Sequence, residues 1–326
     1  MSESTFVVVN PASANGKTGR RWLEMAARLR ARIGDFESAM TEAPRQATAL
    51  VRDALCNGAT HIVSVGGDGT HNEAVNGFFD DGRALNGDAM LSLIPTGTGG
   101  DLRRTLDLPQ DAVSAIDHVG ERPVTVDIGV LTCDDGAGNP VTNHFVNISS
   151  FGVSGRVVDA VNHTTKVFGG KVSFMLGAAR ATAKWRNQRV RIVLDPDTPD
   201  AKTIERRIYL TAVANARYFG GGMQIAPDAI MNDGVFDVVV MGDISKARVL
   251  LKSGTIYKGT HMELDEVEHH LARAVRAEAI AGDPPILIDM DGEQPGCLPA
   301  TWTLKPSALR LCVGPGFKAA RRADVR

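Results

Sequence analysis

The stretch VSVGGDGTHNEAVNG, residues 63–77, decides how this chain is read. Its first residues are apolar and β-prone, its last can sit on a helix, and Gly66, Gly67 and Gly69 surround a single carboxylate, Asp68. A strand that leaves through glycines into a helix is the turn of a β/α unit. The surrounding sequence repeats that alternation. TFVVVN (5–10) reads as a buried strand, and GRRWLEMAARLRARI (19–33) carries Trp22, Met25, Ala26, Leu29 and Ile33 at helical spacing. FESAMT, APRQATALVRDALCNG, HIVSVG, THNEAVNGFF and AMLSLIP continue it. Strands apolar throughout, alternating with helices, predict a parallel sheet flanked by helices on both faces. Ligands of such sheets bind beyond the carboxyl ends of the strands.

From about residue 125 the texture changes. VTVDIGVLTC, HFVNISSFG, RVRIVLD, ERRIYLTAVANA, GVFDVVVMG, ILIDMDGE and LRLCVG are strand-like and separated mostly by turns, as in an antiparallel β sandwich. KVSFMLGAARATAKW (171–185) stands out as a helical interruption, and LDEVEHHLARAVRAEAI (264–280) reads as a helix with alternating charge on a solvated face. The expected organisation is an α/β domain over 1–124 and a mainly antiparallel β-sandwich domain over 125–317, with the active site in the cleft between them. The last strand, near Leu309–Val313, has either domain open to it.

Composition narrows the function. A formal net charge of −2 over 326 residues does not suit a protein that neutralises nucleic-acid phosphates, so no nucleic-acid partner is expected. Cys56, Cys133, Cys297 and Cys312 form no CxxC pair, which suggests neither a zinc site nor a disulfide framework and fits a cytoplasmic location. No run of about 18 apolar residues predicts a transmembrane segment. The histidines lack HExxH or Cys/His ligand spacing.

Three glycine-rich segments fall at the ends of the first, third and fourth strands: NPASANGKTG (10–19), GGDGT (66–70) and PTGTGGD (95–101). Glycine lets backbone N–H groups approach an anion, and a following helix N-terminus adds its positive dipole end. One such turn means little; three on one sheet edge point to phosphate. Neither GxxxxGK[ST] nor GxGxxG is present, so a nucleotide would bind in another way, with Asp68 placed to orient Mg²⁺ beside the phosphates.

The ordered set NPxSANGK, VGGDGTHNEAVNG, IPTGTGGDLRR, VDIG, APDAIMNDGVFDVV and DMDGE closely resembles the diacylglycerol kinase catalytic-domain family, which includes bacterial lipid kinases and sphingosine kinases. GGDGT alone is shared with NAD kinases. The resemblance implies an ATP-dependent lipid kinase that phosphorylates a hydroxyl of a neutral lipid, using MgATP. It implies an ATP site lined by Asn10, Lys17, Gly66, Gly67, Gly69, Thr70, Glu73, Thr96, Gly97 and Thr98. It places Asp68 in the Mg²⁺ and water network, with Asp101 and Asp127 in support, and brings Glu293 across the cleft. Either Glu293 or Asp68 would be the general base, since a carboxylate crowded by acids has a raised pKa. A structural divalent metal would be held by Asp233 and the carbonyls of Ile230 and Val235.

Two departures stand out. Gly100 replaces a family asparagine, and Ser154 falls where sphingosine kinases carry the aspartate that meets an ammonium group, with Asp159 five residues on. A serine cannot pair with a cation, so a diacylglycerol-like or ceramide-like acceptor is favoured. The segment 161–191 carries Lys166, Lys171, Arg180, Lys184, Arg186, Arg189 and Arg191, no acidic residue, and apolar Val167, Phe168, Phe174, Met175 and Leu176. It reads equally as a docking surface for the inner membrane face or as a core-facing helix with a basic side. The tail FKAARRADVR reads as a frayed end, and a homodimer stays open. Two other classes remain: an NAD kinase-like enzyme, and a catalytically silent lipid or nucleotide sensor.

Overall fold

The computed structural model describes residues 4–162, 182–280 and 284–320. The chain divides into two compact units. The first comprises Met1–Ile128, Met231–Asp233 and Pro306–Arg326; the second, Gly129–Ile230 and Gly234–Lys305. The chain leaves the first unit inside a continuous strand rather than at a linker, so the division lies at Ile128/Gly129 and not at the composition change near residue 125. The last strand also crosses, between Lys305 and Pro306.

The first unit holds β1 (Thr5–Val9), α1 (Lys17–Ile33), β2 (Glu37–Met40), α2 (Gln46–Cys56), β3 (His61–Gly66) and α3 (Asp68–Gly77). After a short hairpin, β4 (Phe79–Asp80) and β5 (Arg83–Ala84), come β6 (Met90–Pro95), α4 (Asp101–Thr105) and α5 (Ala112–Ile116). Strands run in the order β6-β3-β1-β2, all pairs parallel. Every residue of β3 and β6 is buried, which is why they read as continuous apolar runs. Trp22, Met25, Ala26 and Leu29 line one face of α1 and pack on Val7, Val9, Val63, Val65 and Ile94.

The second unit takes in the later half of β7 (Pro123–Asp134), then β8 (Pro140–Phe145), β9 (Ile148–Gly152), α6 (Val153–Asn162), β10 (Gln188–Leu194), β11 (Lys202–Ile208) and β12 (Leu210–Ala214). There follow β13 (Phe236–Met241), α7 (Lys246–Ile256), β14 (Val267–Ala272), β15 (Ala274–Ala279), β16 (Ile288–Met290) and the first part of β17 (Cys297–Cys312). One antiparallel sheet runs β14-β13-β12-β9-β16. A second runs β11-β10-β15-β17, with the β7–β8 hairpin paired to β17. Inward side chains of both form one core, in which Phe145 stacks on Phe236 at 5.7 Å and Phe151 on Trp302 at 5.3 Å between ring centroids.

Several expectations are corrected. Residues 264–280 are not a helix but the strands β14 and β15. Alanine, glutamate and arginine favour helix locally, yet β15 lies between β10 and β17, with Val275 and Ala277 buried and Arg276 and Glu278 outward. Helices α6 and α7 were not anticipated. The tail is anchored as far as described: Phe317 is buried, and the Ala320 N–H donates to Asn232 Oδ1 at 2.8 Å. Lys166, Lys171, Arg180 and the apolar residues of the suggested docking segment lie outside the described residues. Arg191 is described, and it pairs with Glu205 and Glu278 on the adjacent strands.

Candidate functional site

β1, β3 and β6 are parallel neighbours, so the segments leaving their carboxyl ends converge. The second and third meet backbone to backbone. The Thr96 N–H donates to Gly66 O at 2.7 Å, and a Cβ added to Gly97 would lie 2.7 Å from Gly67 Cα. A Cβ on Gly66 would sit 2.5 Å from Thr70 Cβ. These glycines are therefore required by proximity, and the Gly97 N–H also donates to Gly66 O at 3.3 Å. The first segment is tied in by polar side chains. Asn10 Nδ2 donates to Thr70 Oγ1 at 2.9 Å, Asn10 Oδ1 accepts from the Ala12 N–H, and Thr96 Oγ1 donates to Ser13 Oγ at 3.1 Å.

Asp68 opens α3, where the helix N-terminus favours a negative charge. Its Oδ2 accepts the N–H of Gly100 at 2.7 Å and of Asp101 at 3.3 Å. The carboxylate thus locks the GGDGT bend to the turn after β6, and a Cβ on Gly99 would come within 2.7 Å of Oδ2. Gly100 adopts φ +63°, the left-handed conformation that only glycine and asparagine visit readily. That explains on backbone grounds why either residue serves there. Asp101 is buried and paired at 2.9 Å with Arg104, whose Nη1 also donates to Gly99 O and Gly100 O. Arg104 and Ser13 therefore brace the loops, a role that sequence spacing did not disclose. Beneath them His71 is buried, its Nδ1 2.9 Å from Ser64 Oγ; burial lowers its pKa to about 4, with Asp68 opposing the shift.

Lys17 and Thr96 share a recess of about 190 Å³ with Thr18, Arg21, Pro95 and Gln110. That is smaller than the ~300 Å³ at which small-molecule pockets begin, so it suits one part of a nucleotide. Thr98 is exposed, and Gly69 lies in the first turn of α3.

Two residues assigned to the site are engaged elsewhere. Glu73 accepts the N–H groups of Arg45 at 3.0 Å and Ala47 at 3.1 Å, capping the start of α2, and its carbonyl accepts from Thr48 Oγ1. An N-terminus without its own side-chain cap recruits this carboxylate, so Glu73, expected to line the ATP site, is bonded to the start of α2. Asp127 is buried on β7; its Oδ1 accepts from the Ser307 N–H and its own N–H donates to Met231 O, both at 2.7 Å. It ties three chain segments of the first unit together, and the described bonds do not link it to Asp68. Ile230, Asp233 and Val235 are half-buried about a turn in which Gly234 has φ +82°.

In the second unit Glu293 closes a tight turn. Met290 and Glu293 exchange two backbone hydrogen bonds of 2.9 Å around Asp291 and Gly292, which have φ +50° and +89°. The turn is fixed by its neighbours: Asp291 accepts the N–H groups of Val146, Asn147 and Ile148 at 2.8–3.2 Å. Glu293 itself is exposed. Asp289, two residues before the turn, was not foreseen. It is buried, accepts the Gly292 N–H on Oδ1 at 3.0 Å, and has Ser150 Oγ 3.4 Å from Oδ2. Ser150 Oγ lies 2.9 Å from Ser154 Oγ. Desolvation raises the Asp289 pKa to about 7, helped by Asp291 and Glu293 and opposed by its hydrogen bonds. The carboxyl group that joins Ser154 in a hydrogen-bonded chain is therefore Asp289.

Residues 4–131 match the diacylglycerol kinase catalytic domain, and residues 147–313 match the YegS C-terminal NAD kinase beta sandwich-like domain. The chain belongs to the diacylglycerol kinase catalytic-domain family, whose chemistry is phosphoryl transfer to an alcohol. Among curated relatives it is 29% identical to a diacylglycerol kinase of Mycobacterium tuberculosis over 93% of each chain. It is 25% identical to one of Bacillus subtilis over 90% of each. A solved diacylglycerol kinase structure from Bacillus anthracis has a TM-score of 0.68 at 20% identity, covering 97% of this chain and 98% of that one. Yeast NADH kinase complexed with NADH has a TM-score of 0.53 at 11% identity, over 99% and 85%. At these identities the two structures speak for the fold.

Proposed function

We propose that this chain is an ATP-dependent kinase that phosphorylates the free hydroxyl of a neutral lipid, diacylglycerol-like or ceramide-like. The observation that carries the reading is the cradle of Gly66, Gly67 and Gly97, closed by Asp68 on the Gly100 N–H. It brings close-packed glycine turns and one carboxylate together at a helix N-terminus, the kind of surroundings that a Mg²⁺-bound phosphate chain uses. Mg²⁺ is bound in such enzymes by one or two carboxylates together with the substrate phosphates, and Asp68 is the carboxylate this chain offers beside the glycine turns. When bound, Mg²⁺ neutralises phosphate oxygens. The chain's residues do the rest. Backbone N–H groups of the glycine segments bind the phosphates, Lys17 and Arg21 add positive charge in the recess, and Asp68 fixes the loops and orients water. Glu293 or Asp68 accepts the acceptor's proton, Glu293 being delivered in this reading from the second unit. A second divalent ion at Ile230, Asp233 and Val235 would be structural.

A neutral acceptor is supported by the Ser150–Ser154–Asp289 chain. Its hydroxyls, Ser154 Oγ 2.9 Å from Ser150 Oγ and Ser150 Oγ 3.4 Å from Asp289 Oδ2, stand in this reading where an aspartate would meet an ammonium, and burial favours the neutral form of Asp289. NAD is the second acceptor to test, because the fold is shared with the yeast NADH kinase. The assay supplies labelled ATP and Mg²⁺ with dispersed diacylglycerol, ceramide, sphingosine or NAD. The expected result is label in a neutral lipid and loss of at least about a hundredfold in turnover for Asp68→Ala, with the fold retained. Label in NAD alone supports the NAD kinase-like reading, ATP binding without transfer supports a sensor, and near-normal turnover of Asp68→Ala overturns the site.

A further inference from the structure

Helix α7 is amphipathic in the wrong direction for a solvated surface. It is properly begun, with Ser245 Oγ accepting the Arg248 N–H, yet contains no buried residue. Val249 and Ile256, seven positions apart and so on one face, pack on the core around Ile148, Leu210 and Val239. The face turned away holds Ala247, Leu250, Leu251 and Gly254, all exposed. Leu250 is 77% exposed and Leu251 83%, and Tyr257 just beyond the helix is 55% exposed. Among the described residues six large apolar side chains are exposed; these three fall within eight positions, whereas Leu23, Met40 and Leu271 lie far apart in the chain. Exposed leucines scattered singly need no explanation, but adjacent ones on the outer face of a formed helix do.

Charge identifies what would cover them. From Ile244 to Met262 there is no Asp or Glu, while Lys246, Arg248, Lys252 and Lys258 are present. Arg248 turns inward to Glu266 at 2.8 Å, with Asp265 at 3.8 Å. Lys246 Nζ donates to Ala183 O, while Lys252 and Lys258 are exposed and near the leucines in sequence. Self-association through a two-fold axis would set this cationic rim against itself. An anionic bilayer complements both parts, taking leucine and tyrosine at the headgroup and acyl boundary and lysines at the headgroups.

We propose that α7 is a membrane-contact helix, in which Leu250, Leu251 and Tyr257 enter the interface of an anionic bilayer and Lys252 and Lys258 bind its headgroups. The contact deepens the lipid-kinase reading by saying how the enzyme meets its substrate, yet it is measured without turnover. The experiment is co-sedimentation of the full chain with vesicles of phosphatidylcholine, with and without phosphatidylglycerol. Three forms are compared: the wild type, Leu250→Gln/Leu251→Gln, and Lys252→Gln/Lys258→Gln. The wild type should bind the anionic vesicles, and each double variant should lose at least about tenfold in partitioning. Phosphorylation of a detergent-dispersed acceptor should change by less than about twofold, because the variants leave the nucleotide cradle intact. If no acceptor is phosphorylated by any form, the kinase reading fails while vesicle binding still decides this one. Equal binding to neutral vesicles, or wild-type binding by the leucine variant, overturns the proposal. So does a leucine variant that goes from dimer to monomer in size-exclusion chromatography while vesicle binding is unchanged, which makes the face an interface between copies.

Discussion

Asp289 shows how one buried carboxyl group can couple the Met290–Glu293 turn to pH. Its Oδ1 holds the Gly292 N–H, so the backbone that carries Glu293 is fixed from inside the sandwich. Burial raises its pKa from 3.8 to about 7. For an acid raised in the folded state, the folded chain keeps a proton that the unfolded chain has lost. Stability from this group is therefore full below about pH 4 and is lost as pH rises to about 7, at a limit of roughly 4 kcal/mol. Asp289→Asn keeps the shape and the acceptor for Gly292, and Ser150 can rotate its hydroxyl to accept from the new amide. We expect the variant to melt higher than wild type at pH 8 and level with it at pH 4, measured by thermal denaturation across that range. A wild-type excess at pH 8 would show that the ionised carboxylate stabilises the turn. Nothing in the sequence marked Asp289, because its effect comes from burial, and its neighbour Ser150, 139 positions earlier, reaches it through the pairing of β16 with β9. Asp68 was legible for the opposite reason: its partners lie in glycine-rich segments that directly follow strands.

At the scale of elements, the cradle is two strand-to-helix turns pressed together. Gly97→Ala would put a Cβ 2.7 Å from the Cα of Gly67, backbone that cannot rotate away. The turns must separate, which strains the Asp68–Gly100 bond beside them. The expected outcome is a loss of about 1–3 kcal/mol in stability and an ATP KM raised about tenfold or more. Gly87→Ala is the control, since nothing lies within 4 Å of its added Cβ. Equal behaviour of the two variants in thermal melts and ATP titrations would show that the close approach carries no load. Alternating strands and helices made this arrangement readable, because each parallel β/α unit is local in sequence. Elements whose state depends on distant partners were not readable in the same way. β14 and β15 look helical by composition and become strands by pairing with β13, β10 and β17. The cap that Glu73 provides was not readable either, because it belongs to α2, earlier in the chain.

At the scale of the whole molecule, buried ionisable groups are divided unequally, so the two units should respond differently to acid. The first unit buries His61, held to Ser92 Oγ at 2.8 Å, and His71, both with pKa lowered from 6.5 to about 4 by desolvation. As pH falls through 6.5 the unfolded chain takes up protons that the folded unit refuses, and stability is lost. Between pH 7 and 5 each histidine costs about 2 kcal/mol. The second unit buries His144, also lowered to about 4, and His261, lowered with its Nε2 at Ile225 O. It also carries two groups of opposite sign. Asp289 regains its proton on acidification, and His269, raised by its hydrogen bond to Asp237, gains from protonation. These offset the losses. Hydrogen exchange followed by mass spectrometry at pH 7 and 5, corrected for intrinsic rates, should show protection falling in β3 and β6 while β12 and β13 change little. The first unit would then loosen before the second, because the carboxyl group that supports the Glu293 turn is also one that strengthens its own unit in acid. Parallel loss in both sets of strands would contradict this division.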